Sequence, residues 1–164
     1  MKFFTDAMLG KLTRFLRIFG FDTIYANDLI TFFQLDPVPD KNLIEYAKRD
    51  GRIIITKDYA LYKHYTENSI FLKGEGIYNY LKQLNKLFGL NFKFNLKRAR
   101  CSICNSQLQR VENKNSIKKL VLEETYNNYD EFYQCLNLKC KKLYWQGSHI
   151  EDIEYRLSNT LDFD

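Results

Sequence analysis

The sequence predicts an α/β fold: a parallel sheet flanked by helices, followed by a small β-rich module. Three observations predict it. Strand-like and helix-like segments alternate along the first half of the chain, the order that builds a parallel sheet with helices on both faces. Three successive isoleucines, Ile53-Ile54-Ile55, suit a strand buried on both sides. From Lys97 onward the texture changes to short β-prone pieces set around four cysteines.

Taken in order, residues 2–5 (Lys-Phe-Phe-Thr) read as a buried strand ending at Asp6. Over 7–19, Leu9, Leu12, Leu16 and Phe19 recur on one helical face, and Gly20 stands where a C-terminal cap belongs. The same segment carries Lys11, Arg14 and Arg17 at i, i+3, i+6, a basic stripe. Residues 22–26 read as a second strand. A loop holding Pro37 and Pro39 leads to a helix opened by Asp40, with Leu43, Ile44 and Ala47 facing inward. Asp50-Gly51 is a turn signal, and Arg52 to Thr56 form the third strand, followed at once by Lys57-Asp58. A helix over 59–64, a strand over 69–72 and a helix over 75–88 complete a first domain, 1–95. Residues 97–164 form the second unit, with Leu143-Tyr144-Trp145 β-prone and a final helix over 150–157.

Of the 164 residues, 45% are hydrophobic and 27% charged, enough apolar material for a core rather than a disordered chain. No apolar run approaches the roughly 20 residues that span a bilayer. An acid at position 6 comes too early for a signal peptide, so the expected location is the cytoplasm, away from membranes. A net charge of +5 permits a polyanionic partner without demanding one. The tightest basic clusters, Lys97-Arg98-Ala99-Arg100 and Lys139, Lys141, Lys142, flank the cysteines. A homo-oligomer stays open.

The cysteines are Cys101-x2-Cys104 and, thirty residues on, Cys135-x4-Cys140. Two short loops that each aim two sulfurs at one point close a tetrahedron around Zn²⁺. Four thiolates leave no open position, so the ion is expected to be structural. The alternatives are two disulfides, against which a cytoplasmic location argues, or four free thiols, which would make the spacing of both pairs a coincidence. The polar stretch between the pairs cannot build a core of its own, which makes the module dependent on its metal.

Three aspartates sit where an open parallel sheet binds ligands. Asp6 follows the first strand, Asp58 the third, and Asp40 starts the helix between them. Carboxylates gathered there repel unless they hold a cation, and hard oxygen ligands select Mg²⁺ or Mn²⁺. Acid-held metal of this kind serves phosphoryl transfer and phosphodiester hydrolysis. The basic stripe would then guide a phosphate backbone. The plain alternative is that each of the three aspartates caps a helix and the stripe is a solvated face.

The string Asp6-x-Met8-Leu9-Gly10-Lys11-Leu12-x-Arg14-x-Leu16-Arg17-x-x-Gly20-x-Asp22-Thr23 is long and specific. Asp40-x-x-Leu43-Ile44-x-x-Ala47 and Gly51-Arg52-Ile53-Ile54-Ile55-Thr56-Lys57-Asp58 follow it, then the cysteines and Tyr144-Trp145-x-Gly147-Ser148-His149. Over nearly its full length the chain resembles the PIN-like ribonuclease family named after the C-terminal domain of the Mut-seven exonuclease. The resemblance implies a PIN-like α/β domain followed by a zinc ribbon, and a metal-dependent nuclease acting mostly on RNA. It assigns Asp6, Asp40 and Asp58 to the catalytic acids. Lys57 stands where the family more often has Arg, which keeps the charge and loses the bidentate fork. Many PIN nucleases carry a further acid on an early helix, whereas Ala7 to Phe21 holds none. Asp22, Asp28 and Asp36 are the candidates to replace it.

The resulting expectation is a ribonuclease using Mg²⁺ or Mn²⁺. RNA would be held by Lys11, Arg14, Arg17, Lys57, Arg98, Arg100, Lys141 and Lys142. Two other readings compete with it: a non-catalytic RNA-binding module with too few acids, and a protein-interaction module whose partner covers the ribbon. Tyr144 and Trp145 read as ribbon packing, with base stacking the alternative. Ser148 or His149 is expected to begin the last helix.

Overall fold

The computed structural model describes residues 1–161; positions 162–164 of the predicted second unit lie outside the described residues. Four parallel strands form the first sheet: β1 (Lys2–Thr5), β2 (Asp22–Tyr25), β3 (Ile53–Thr56) and β4 (Ser69–Phe71), in the order β2-β1-β3-β4. Phe4 stands beside Ile24 on one side and Ile54 on the other. Successive side chains of a strand point to opposite faces. Phe3 and Ile55 accordingly enter one core layer, while Phe4 and Ile54 enter the other. All four are fully buried.

Helix α1 (Gly10–Ile18) crosses from β1 to β2 and packs on the Phe3 face through Leu12 and Leu16. The predicted helix over 7–19 opens instead with a 3-10 turn, Ala7–Leu9, capped by Asp6. At its other end Gly20, at φ +93°, donates to the Arg17 carbonyl, and Phe21 donates to Leu16. Those two bonds complete a Schellman cap. A side chain at position 20 would also meet the Arg98 carbonyl at 2.7 Å.

The segment expected to be loop after β2 contains a 3-10 turn, Ala26–Leu29, and the short α2 (Ile30–Phe33). Helix α3 (Asp40–Arg49) and α4 (Tyr59–His64) cover the Phe4 face through Leu43, Ala47 and Leu61. Helix α5 (Ile77–Phe88) returns to the Phe3 face through Leu81 and Leu84.

The second sheet is antiparallel: β5 (Leu108–Arg110), β6 (Tyr133–Cys135) and β7 (Leu143–Tyr144), with α6 (Glu123–Asn128) between β5 and β6. Helix α7 (Ser148–Leu161) then leaves this sheet and packs against α5. Ile153 and Leu157, each 3% exposed, join the core of the first sheet. The final helix thus contributes to the core of the first sheet, although it follows the cysteines in the chain.

Candidate active site and metal centre

The order β2-β1-β3-β4 places the topological switch between β1 and β3, the point where ligands bind at the carboxyl ends of such strands. Asp6 and Asp58 follow those two strands. Asp6 is 5% exposed. Its Oδ1 accepts from the Met8 amide at 2.9 Å, and its Oδ2 from the Lys57 amide at 2.8 Å and from the Thr56 hydroxyl. Three donors leave the carboxylate one orientation. The same Thr56 oxygen accepts from the Asp58 amide at 2.8 Å, so one buried hydroxyl ties the ends of β1 and β3 together.

Asp58 caps α4: its Oδ1 accepts from the amides of Ala60 at 2.7 Å and Leu61 at 3.1 Å. Its other oxygen has no hydrogen bond among the described residues, so capping occupies only half of the group. Asp40 is not a cap, because Pro39 holds the cap position of α3. The Asp40 side chain makes no hydrogen bond among the described residues.

These three aspartates line one cleft of about 180 Å³, together with Met8, Asn27 and a fourth carboxylate, Asp36. No Lys, Arg or His lines it. Of the three acids that could replace the missing helical one, only Asp36 reaches the cleft. Asp22 is bound by Arg52 at 2.8 Å and Asn105 at 2.7 Å, and Asp28 pairs with Arg17 and accepts from the Tyr25 amide at 3.2 Å. Asp36 lies in the proline loop, where no periodic pattern announces its direction. The carboxylates share the cleft without closing into one tight shell. Among the described residues only the four cysteines bring three or more ligand atoms within 4.8 Å of one another. Donors hold Asp6 back, helix capping holds Asp58, and repulsion favours the spacing.

Cys101, Cys104, Cys135 and Cys140 form that cluster. None is in a disulfide. Cys104 and Cys135 sulfurs stand 3.4 Å apart, Cys101 and Cys140 3.6 Å. Sulfurs at about 2.3 Å from a tetrahedral ion lie close to such distances, so the four fit a metal such as zinc. Each knuckle closes on a residue in the left-handed region directly after its second cysteine, Asn105 at φ 63° and Lys141 at φ 49°. Burial pushes the Cys135 and Cys140 thiols up. Burial opposes ionisation of Cys104 as well, but hydrogen bonds from Ser106 and the neighbouring thiols outweigh it and bring that thiol down to about 6. Four crowded sulfurs cannot all ionise without a cation to compensate them.

Tyr144 is a residue whose role the sequence did not reveal. Its hydroxyl donates to the Cys101 sulfur at 3.1 Å and accepts from the Ser102 amide at 2.9 Å. Such outer contacts orient a metal ligand. The TyrTrp dipeptide beside a second cysteine pair was the only signal available.

The basic residues divide. Lys11 and Arg14 are exposed on α1, and Arg98, Lys141 and Lys142 are exposed near the cysteines. Arg17 departs from the stripe: it is 2% exposed. Its guanidinium donates to the carbonyls of Thr23 at 2.9 Å, Ser102 at 3.3 Å and Ile103 at 2.8 Å, and pairs with Asp28. All of its reach is spent inside the protein. Arg100 donates to the Asn105 carbonyl at 2.8 Å and lies 3.8 Å from Asp22. Lys57 pairs with Glu75 and stands over the Tyr80 ring.

No helix among the described residues is long and apolar enough to cross a membrane. No curated protein and no solved structure matches the chain significantly. A family model described as the Mut7-C RNAse domain matches residues 1–157, a span that takes in the carboxylate cleft and all four cysteines. Matched over nearly its whole length, the chain belongs to the Mut7-C RNAse domain family.

Proposed function

We propose that the chain is a metal-dependent ribonuclease that hydrolyses RNA phosphodiester bonds in the carboxylate cleft, with a structural zinc at the four cysteines. The observation that carries this reading is the cleft itself: four carboxylates at the switch point of the sheet, with no cationic side chain lining it. Asp36, Asp40 and Asp58 are exposed and Asp6 is satisfied by three donors, so what favours a divalent cation is the gathering of four like charges in one cleft. The donors are all hard oxygens, which suits Mg²⁺ or Mn²⁺, and their wide spacing suits ions that keep several waters. When bound, such an ion supplies Lewis acidity toward the phosphodiester and its attacking water.

The chain's own residues have separable parts in this. Asp6 is held rigidly by Met8, Thr56 and Lys57 and offers a fixed anchor. Asp58 offers the oxygen that capping leaves over. Asp40 and Asp36 approach from the helix start and the proline loop. Lys11 and Arg14 extend from the first helix to contact phosphates, with Arg98, Lys141 and Lys142 near the cysteines as a second set.

Cleavage of end-labelled RNA with Mg²⁺, Mn²⁺ or neither tests the reading, comparing the wild type with Asp40→Asn and Asp58→Asn at equal zinc content. Metal-dependent cutting that both substitutions remove supports it. Equal cutting by wild type and variants assigns the activity to a contaminant. RNA retention without cutting under any divalent ion makes the chain a binding module.

A further inference from the structure

A second and larger groove, about 750 Å³, lies between α1, the first cysteine knuckle, β7 and the start of α7. Lys11 and Arg14 enter it from α1, Lys142, Tyr144 and Trp145 from the cysteine module, and His149 from α7. Neither Asp nor Glu lines it. Lys11 and Arg14 form no ion pair or hydrogen bond among the described residues, and both are exposed. Lys142 stands over the Tyr144 ring at 5.5 Å.

Trp145 is half-buried and buttressed by Tyr129 and Phe132, with ring centroids 6.4 and 6.0 Å away. Its indole N–H has no hydrogen-bond partner among the described residues. Water solvates these exposed cations, but with no acid in its lining the groove carries charge of one sign only. Cations around an aromatic platform match one kind of occupant, a strand with negative phosphates and open base faces.

The groove and the cleft are lined from neighbouring stretches of the chain, the turn after β1 and the start of α1. Asp6, Ala7 and Met8 line the cleft, and Gly10 and Lys11 line the groove. We infer that the groove takes a single-stranded RNA segment on its way to the carboxylates, an unpaired base against Trp145 and phosphates along Lys11, Arg14 and Lys142. This rests on the ribonuclease reading and adds a substrate class to it. Stacking requires a base whose face is free, which the interior pairs of a duplex do not offer.

Trp145 is the chain's only tryptophan, so its emission reports on the groove alone. The full chain is titrated without added Mg²⁺ or Mn²⁺ with a short single-stranded oligoribonucleotide or a blunt duplex of the same length. Binding is followed in parallel by the anisotropy of labelled RNA. The single strand is expected to quench Trp145 saturably and the duplex to leave it unchanged. Lys11→Ala with Arg14→Ala is expected to lower the slope of log affinity against log salt by about 0.7 for each charge removed. Trp145→Phe keeps a stacking ring and is expected to retain most of the affinity by anisotropy, whereas Trp145→Ala loses it at unchanged zinc content.

Equal quenching by duplex, RNA binding that leaves Trp145 silent and the double variant unaffected, or no RNA binding at low salt would each overturn the inference. If metal-dependent cleavage persists in the first two cases, the ribonuclease reading survives without the groove. Quenching by single strands with no cleavage under any divalent ion upholds the groove and removes the nuclease.

Discussion

Asp6 braces the ends of β1 and β3 as well as lining the cleft, and comparison with Asp40 separates the two contributions. An asparagine there must turn its NH₂ toward one of the donors now supplied by Met8, Thr56 and Lys57. Asp6→Asn is therefore expected to lose about 1–3 kcal/mol of stability as well as activity, a fall of several degrees in Tm. Asp40 makes no fold-sustaining hydrogen bond among the described residues. Asp40→Asn should keep its stability within about 0.5 kcal/mol. Its metal-dependent cleavage should fall by about 100-fold or more, the equivalent of losing roughly 3 kcal/mol of transition-state stabilisation. Thermal unfolding alongside RNA cleavage checks both. Thr56 is the positioning residue of the pair. Thr56→Val keeps the strand shape but strips a donor from Asp6 and the acceptor from the Asp58 amide. We expect cleavage to drop about 10–100-fold, with Thr56→Ser restoring most of it.

At the scale of elements, the first cysteine knuckle protects the edge of the sheet. Strand β2 is an edge strand, and an edge leaves backbone groups unpaired. The knuckle supplies the partners: the Thr23 amide donates to the Asn105 side chain at 3.1 Å, and Arg17 bridges the Thr23 carbonyl to those of Ser102 and Ile103. Order at the cysteine knuckle and order at β2 are therefore coupled, and a metal held by the four thiols would stabilise both. Removing the metal by chelation, or by Cys104→Ser, should raise hydrogen exchange at β2 amides while β3, at the centre, stays protected. Arg17→Leu leaves Asp28 and three carbonyls without their cation. It should destabilise the protein by about 3–5 kcal/mol in denaturant unfolding, far beyond what loss of an exposed phosphate contact would do.

Across the whole molecule, the join between sheet and cysteine module is electrostatic as well as covalent. Asp22 stands at that join, bonded to Arg52 and Asn105 with Arg100 nearby. Burial works to raise its pKa, but the hydrogen bonds from Arg52 and Asn105 and the two guanidinium charges outweigh it, and the carboxyl sits below its ordinary 3.8. Its folded value lies below the unfolded one. Ionised Asp22 thus stabilises the fold above pH 3.8, and that contribution is lost as pH falls through the folded value. Asp22→Asn should be less stable than wild type at neutral pH, with the gap in Tm narrowing as acid titrates the native carboxyl. A pH series of melting curves for the two proteins measures it.

The period of the apolar residues, the three isoleucines and the cysteine spacing determined the strands and longer helices of the first sheet, the class of fold and the four thiols that could hold a metal, because each is a short-range pattern. The positions of Asp6 and Asp58 at the carboxyl ends of β1 and β3 were legible for the same reason, since each comes within two residues of a readable strand. The tertiary structure alone decided the rest. Arg17 keeps perfect stripe spacing with Lys11 and Arg14, yet the carbonyls of Ser102 and Ile103, 85 and 86 residues on, draw it inside. Asp36 enters the cleft because the proline loop folds over the carboxyl end of the sheet, and a loop has no period to read. Thr56 and Tyr144 gain their roles from partners 50 and 43 residues away. Helix α7 was legible as a helix, but its place against α5 was not. Periodicity states which face of a helix is apolar, and only the packed chain supplies the surface that buries it.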